Sequence, residues 1–163
     1  MEQHNKYLAF EQKGANLPVF KSADNVANMT DGEKILRKII EPYKGKIVLL
    51  DVWGTWCAPC KMALKDSQKE FEALKDYNIQ YLYLANRSPE QAWKNVINEY
   101  KVTGNNVAHY NLPADQQSAV ENFLKIHSYP SYRIIDTDGN IIDLDVDARD
   151  FEATKRILDK LKK

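Results

Sequence analysis

The sequence DVWGTWCAPCK, residues 51–61, holds the only two cysteines of this 163-residue chain, Cys57 and Cys60. Cysteines at this spacing can form a redox-active pair, supply half of a metal site, or pack as two small buried thiols. A disulfide between them would close a very small ring, which adds little loop-closure entropy to stability. The value of such a pair is therefore chemical, and the surrounding residues decide which chemistry it performs.

The metal-binding alternatives need residues that the sequence does not supply. Tetrahedral zinc takes four ligands, but there is no second C-x-x-C. No two of the three histidines have ligand spacing: His4, His109 and His127. Attachment of a c-type haem needs a histidine after the second cysteine, where Lys61 stands. We expect no metal and no cofactor other than a redox-active Cys57–Cys60 disulfide. A pair of buried thiols with only a structural role remains as the alternative.

The hydrophobic pattern around the motif alternates between strand-like and helix-like segments. The strand candidates are residues 46–53, 79–86, 131–136 and 140–146. The Asp-Gly turn signal in TDGN, residues 137–140, makes the last two an antiparallel hairpin. Helical patterns occupy residues 31–43, 60–76, 88–101, 115–127 and 150–161. Strands separated by helices predict an α/β sandwich with a mixed sheet.

Composition places the chain among globular proteins and excludes some partners. It is 44% hydrophobic and 28% charged, with a formal net charge of zero. No long-range field therefore draws in nucleic acid. No apolar run approaches the roughly 18 residues that span a bilayer. The first twenty residues lack the apolar core of a signal peptide, which fits a cytoplasmic protein or a mature domain without its leader.

The position of the motif divides the work between its cysteines. A strand runs into the motif and a helix begins at Cys57, so backbone N–H groups and the helix dipole favour a thiolate there. The pKa of such a cysteine can fall from about 8.5 to between about 3.5 and 7.5. Cys60, one turn later and less exposed, would resolve the mixed disulfide that Cys57 forms with a substrate.

These residues resemble the thioredoxin superfamily. The motif has a strand aspartate six positions before the first cysteine, two tryptophans, and the core W-C-x-P-C-K. SYP before the strand candidate at 131–136 resembles the cis-proline loop that faces the disulfide in that superfamily, which assigns the cis-proline role to Pro130. The resemblance implies a thioredoxin-like three-layer α/β/α sandwich and dithiol–disulfide exchange on protein substrates, in the reducing direction.

The spacing along the chain is similar to the TlpA/ResA-like branch of that superfamily. Pro130 lies further from Cys57 than in thioredoxin, which implies an added helix between the C-x-x-C helix and the cis-proline loop. The resemblance covers residues 31–163; residues 1–30 are expected to be an N-terminal extension or lead-in strand. It further implies an exported, periplasmic protein, with the cytoplasm as the alternative, and a monomer recharged by an unidentified thiol reductant.

Two residues depart from that branch. Ala63 stands where its members often have a glutamate, three positions after the second cysteine. Asp51 instead matches the buried aspartate of thioredoxin, although the lysine that partners it there has no equivalent in YLYLANRS. The resemblance implies that Asp51 handles the proton of Cys60. The alternative is that Asp51 lies in an edge strand and reaches water.

The resemblance also predicts a substrate surface around the first cysteine. We assign to it Trp56, Ala58, Pro59, Tyr129 and Pro130, with Tyr129 offering its backbone to an incoming peptide. Trp53, which alternates with Val52 along the strand, is expected in the core.

Two other functions remain as alternatives. A redox-inert module could use the same groove to bind extended peptides by strand addition. A peroxiredoxin-like peroxidase is disfavoured, because Gly54 and Leu50 stand where that family has threonine and proline.

Overall fold

A computed structural model describes residues 19–142 and 146–161. Within these residues five strands form one sheet in the order β1-β4-β3-β2-β5. The strands are β1 (Phe20–Lys21), β2 (Ile47–Trp53), β3 (Ile79–Ala85), β4 (Val107–Tyr110) and β5 (Ser131–Ile135). β5 pairs antiparallel with β2, whereas the other neighbours are parallel. The predicted mixed sheet is confirmed.

Six α-helices connect and cover these strands in the described part of the chain. They are α1 (Gly32–Ile40), α2 (Ala58–Lys65), α3 (Ser67–Ala73), α4 (Glu90–Glu99), α5 (Ala114–Leu124) and α6 (Phe151–Leu161). Short 3-10 turns at Ala23–Val26 and Glu41–Tyr43 flank α1. The added helix predicted between the cysteine helix and the cis-proline loop is α4.

The interior strand β2, between β3 and β5, is buried on both faces, because the residues of IVLLDVW are covered by helices on either side of the sheet. Alternate residues of a strand point to opposite faces. Leu49 and Trp53 accordingly lie in one apolar cluster, and Leu50 and Val52 in the other. The two clusters on either side of one sheet confirm the three-layer sandwich.

Each helix layer contributes its own apolar stripe. On the face with both cysteines, the cluster takes Leu64, Ile97 and Leu158 from α2, α4 and α6. On the opposite face α1 and α5 supply residues that include Leu36, Ile39, Val120 and Leu124.

The contact between α1 and α5 depends on a glycine. A Cβ atom on Gly32 would overlap the backbone carbonyl of Ala119. Only a residue without a side chain therefore allows the first turn of α1 to approach α5 this closely.

Three features of the chain differ from the sequence prediction. The helix predicted at residues 60–76 is divided into α2 and α3 at Asp66, whose φ of −96° and ψ of 10° leave the helical range. The strand β4 was not predicted. Of the strand predicted at 140–146, the described residues show an isolated antiparallel bridge from Ile135 to Ile141, and residues 143–145 lie outside them.

The predicted N-terminal segment, residues 1–30, is described from residue 19 onward. Phe20 and Lys21 form the edge strand β1 beside β4, and Val26 is fully buried in the cluster that contains α1. Residues 19–30 thus pack on the same core as the rest of the chain, and the division at residue 31 stays a prediction.

Candidate active site

The two cysteines lie where β2 ends and α2 begins. Cys57 is the N-cap of α2, and a disulfide joins it to Cys60 with their Cα atoms 5.2 Å apart. The backbone N–H of Cys60 donates to Cys57 Sγ at 3.2 Å. In the reduced protein this hydrogen bond and the positive end of the helix dipole would both favour a thiolate at Cys57. The local geometry is the one that the sequence predicted.

Both cysteines are buried, and Cys60 is less exposed than Cys57, as expected. Cys57 is 5% exposed and Cys60 is 1% exposed. Cys57 is therefore the more accessible of the two, but the small exposed fraction means that a substrate must reach it across neighbouring side chains.

The cis-proline loop forms one wall beside Cys57. The Tyr129–Pro130 peptide bond is cis, as the resemblance implied. The backbone oxygen of Tyr129 lies 3.6 Å from Cys57 Sγ. The ring of Tyr129 packs edge to face against the ring of Trp56, with the centroids 5.2 Å apart. The loop thus brings Tyr129 and Pro130 to the cysteine from a distant part of the chain.

Trp56 forms the other wall and is the most exposed tryptophan among the described residues, at 51%. Its indole Nε1–H donates to the backbone oxygen of Asn86 at 2.9 Å. A Cβ on Gly54 would overlap the indole, so this glycine makes room for the ring. Ala58 and Pro59 are exposed on the first turn of α2. The five residues predicted to bind substrate therefore lie around Cys57, while their binding role stays a prediction.

Asp51 lies in the interior strand β2 and not at an edge, so the alternative that it reaches water from an edge strand is wrong. It is 8% exposed and faces the same side of the sheet as Leu49 and Trp53. Among the described residues no donor reaches its Oδ1. Burial raises the pKa of Asp51 to about 8; the positive charge of Arg149 opposes this and Asp147 adds to it.

Two charged residues near Asp51 were missed by the sequence analysis. Burial, and then the charge of Asp51, raise the pKa of Glu70 to about 8. Arg149 forms an ion pair with Asp147 at 2.8 Å and is the cation that acts on Asp51, which has no lysine partner in YLYLANRS. Neither could be found from local sequence, because Glu70 has the pattern of a solvated helix face and Arg149 comes from a distant loop.

Glu70 and Arg149 border a cavity of about 270 Å³ beside the cysteine helix. Ala63 borders the same cavity, so the position without a glutamate and the Glu70 carboxyl group of α3 lie around one space. The complete lining is Pro59, Met62, Ala63, Asp66, Glu70, Arg149 and Phe151. Glu70, whose pKa is raised in part by the charge of Asp51, thus places a titratable carboxyl group at the border of this cavity.

The one buried histidine among the described residues is packed as a core side chain. His109 is fully buried, with its Nε2 2.8 Å from the backbone oxygen of Val102 and its ring stacked on Tyr83. Burial lowers the pKa of His109 to about 4. His4 lies outside the described residues. Across residues 19–142 and 146–161 no group of three or more His, Cys, Asp or Glu side chains is placed to hold a metal ion.

None of the helices among residues 19–142 and 146–161 is both long enough and apolar enough to cross a bilayer.

Comparison with known proteins shows which family this chain is similar to. Residues 45–141 match the family model described as thioredoxin-like. The chain is 24% identical over 156 residues to the thiol-disulfide oxidoreductase ResA of Bacillus cereus, covering 95% of this chain and 85% of that protein. It is 29% identical over 131 residues to ResA of Bacillus subtilis, covering 80% and 54% of the two chains.

Solved structures give the same fold. The thioredoxin domain of a thiol-disulfide oxidoreductase from Bacteroides vulgatus superimposes with a TM-score of 0.60 at 26% identity, covering 73% of this chain and 84% of that one. The solution structure of a further such protein from the same organism gives a TM-score of 0.62 at 24% identity, covering 75% and 77%.

Proposed function

Because this chain belongs to the thioredoxin-like family, we propose that it is a thiol–disulfide oxidoreductase that reduces disulfides of protein substrates. The observation that carries the proposal is the Cys57–Cys60 disulfide at the first turn of α2, facing the Tyr129–Pro130 loop. The ResA relatives, which align over most of this chain, have the same named activity.

The reaction begins at Cys57. Its thiolate attacks one sulfur of the substrate disulfide, a bond forms between that sulfur and Cys57 Sγ, and the substrate S–S bond breaks. The first substrate sulfur leaves as a thiolate and takes a proton from solvent. The product is a mixed disulfide between Cys57 and the substrate.

Cys60 completes the reaction. Its thiol loses a proton to Asp51 in those molecules in which this carboxyl group is ionised, and the resulting thiolate attacks Cys57 Sγ. The mixed disulfide breaks, the second substrate sulfur leaves as a thiolate, and two electrons have passed to the substrate. Asp51 then returns the proton to solvent. A thiol reductant then reduces the Cys57–Cys60 disulfide and closes the cycle.

The reducing direction is supported by the likeness of residues 51–61 to thioredoxin, including the buried Asp51. Reduction potential measures it directly, by equilibration with a dithiothreitol or glutathione redox buffer. A potential near the roughly −270 mV of thioredoxin supports a reductant, whereas one near the roughly −120 mV of DsbA would make the protein an oxidant.

Substrate binding is assigned to the surface around Cys57. Trp56, Ala58 and Pro59 supply one side, and Tyr129 and Pro130 supply the other. The proposed partners are proteins with accessible disulfides and an upstream thiol reductant, and the protein acts as a monomer. The similarity to ResA supports an exported, periplasmic location, which cell fractionation would test against the cytoplasmic alternative.

Insulin reduction by dithiothreitol tests the proposed activity. The protein should accelerate precipitation of the insulin B chain, and Cys57→Ser should abolish the acceleration. Wild-type protein that leaves the uncatalysed rate unchanged would instead support the redox-inert peptide-binding module.

A further inference from the structure

A buried carboxylate on α5 is connected to both walls of the site but is not part of the proposed chemistry. Glu121 is 6% exposed. Its Oε1 accepts a short hydrogen bond from the Tyr129 hydroxyl. Its Oε2 accepts from Asn86 Nδ2 and from Gln117 Nε2, each at 2.8 Å. A buried carboxylate is unfavourable unless such donors surround it, and here three side chains supply them.

Two of those donors belong to residues that form the site. Tyr129 places its backbone oxygen 3.6 Å from Cys57 Sγ and its ring against Trp56. Asn86 accepts the Trp56 indole N–H at its backbone oxygen, and its own N–H donates to the backbone oxygen of Trp53 at 2.7 Å. One carboxylate thus holds the residue behind Trp56 and the residue before Pro130 at the same time.

We propose that Glu121 is the positioning residue for the two substrate-facing walls, formed by Trp56 on one side and by Tyr129 on the other. The inference rests on the proposed function, because it concerns how protein substrates reach Cys57. Glu121 makes no hydrogen bond to either cysteine among the described contacts, so it acts through Tyr129 and Asn86. Its loss should weaken the binding of polypeptide disulfides and leave the intrinsic reactivity of the Cys57 thiolate unchanged.

The chemistry of the network suggests a discriminating pair of substitutions. Glu121→Gln keeps an oxygen that can accept from the amides of Asn86 and Gln117, and its NH₂ group can donate to the Tyr129 oxygen. Glu121→Met keeps the length of the side chain but removes every acceptor, leaving buried donors unpaired. Asp115→Met, at an exposed position on the same helix, controls for the substitution itself.

The assay compares a protein disulfide with a small one. For insulin, we expect Glu121→Met to lower kcat/KM by about tenfold, mainly by raising KM. A change of this size is expected because the substitution removes hydrogen bonds to a charged group. Glu121→Gln should stay within about twofold of wild type, as should Asp115→Met. The small substrate 2-hydroxyethyl disulfide contacts little of either wall, so all three variants should have the same kcat/KM for it as wild type.

Tyr129→Phe provides a second test that does not require a change at Glu121. It removes the hydroxyl donor and retains the ring against Trp56. Both substitutions break the same contact. In the double variant of Glu121→Met and Tyr129→Phe, kcat/KM for insulin should therefore fall by a smaller factor than the product of the two single-variant factors. Independent effects would contradict the proposed coupling.

A spectroscopic measurement separates this inference from the proposed function. In ¹⁵N-labelled protein, the Trp56 indole N–H resonance should shift in Glu121→Met and stay in place in Asp115→Met. An unshifted resonance would overturn the positioning role, and so would equal losses of kcat/KM with insulin and with the small disulfide. In either case, turnover of insulin by the wild-type protein would still support the oxidoreductase assignment. Absence of wild-type turnover would refute the proposed function and leave the resonance test of Glu121 intact.

Discussion

Asp51→Asn should make the folded protein more stable at neutral pH and make its stability less dependent on pH. In the folded state burial raises the pKa of Asp51 to about 8, compared with an ordinary value of 3.8. Between these values the folded protein retains a proton that the unfolded chain releases. Stability therefore falls as pH rises from about 4 to about 8, and becomes flat above the folded pKa.

The size of the effect follows from the same two values. A difference of one pKa unit corresponds to about 1.4 kcal/mol, so the unfavourable contribution of Asp51 grows to about 4 kcal/mol at pH 7, as an upper limit. Asparagine has nearly the same shape and cannot ionise. The gain in stability from Asp51→Asn should therefore be small at pH 4 and increase by as much as about 4 kcal/mol by pH 7.

Denaturant unfolding of the oxidised protein between pH 4 and pH 9 measures this difference. Asp66→Asn is the matched control, because Asp66 borders the same cavity but has a mostly exposed side chain. Its stability curve should run parallel to that of wild type. Parallel curves for Asp51→Asn and wild type would refute the conclusion that Asp51 is buried with a raised pKa.

The same substitution tests the proton transfer from Cys60. Asp51→Asn should slow the resolution of a mixed disulfide on Cys57, because asparagine cannot accept the Cys60 proton. Quenched-flow kinetics with a peptide disulfide would follow the release of the second thiol. An unchanged rate of resolution would remove Asp51 from the mechanism even if its effect on stability were as expected.

Three further predictions follow from the site and the fold. In reduced protein, substoichiometric iodoacetamide at neutral pH should alkylate Cys57 before Cys60, and mass spectrometry showing the reverse order would contradict the assigned roles. Glu70→Gln should increase stability at pH 7 and not at pH 4, because burial raises the pKa of Glu70; Glu72→Gln, an exposed change on the same helix, should show no such dependence on pH. Gly32→Ala should lower the denaturant midpoint by the equivalent of about 1–3 kcal/mol, since its Cβ would overlap α5, and an unchanged midpoint would show that the two helices can separate at no cost.

The sequence was most informative where one short segment determines its own geometry. Residues 47–61 combine a mainly apolar strand segment, IVLLDVW, with a helix start and a proline in the first turn, and each of these is local. The strand β2, the N-cap at Cys57 and the disulfide to Cys60 were therefore predictable. The cis bond before Pro130 came from the family resemblance, because local sequence alone gives cis prolines a low frequency.

Where tertiary contacts decide the structure, local patterns were misleading. Ser88, Pro89 and Gln91 have the pattern of a capping box. In the structure α4 begins at Glu90 without a side-chain cap, and Ser88 Oγ accepts from the Thr55 N–H at 2.9 Å. The hydroxyl serves the active-site loop and not the helix that follows it.

The acidic residues around the site show the same limitation. Glu70 and Glu121 lie on helices whose sequences predict solvated acidic positions. Glu70 acquires its raised pKa from burial and then from the charge of Asp51, and Glu121 is surrounded by donors from Asn86 after β3, from α5 and from the cis-proline loop. Asp51 and Asn86 are distant in sequence from the glutamates they affect, so only the folded chain reveals these contacts.

Formation of a mixed disulfide by Cys60→Ser protein tests the central claim most directly. The reduced variant is mixed with a protein disulfide, quenched with acid and digested, and the cross-linked peptides are identified by mass spectrometry. The account predicts a substrate peptide attached to Cys57 that accumulates because no resolving thiol remains. Protein that stays unmodified under conditions where wild type reduces the same disulfide would contradict the assignment of Cys57 as the nucleophile.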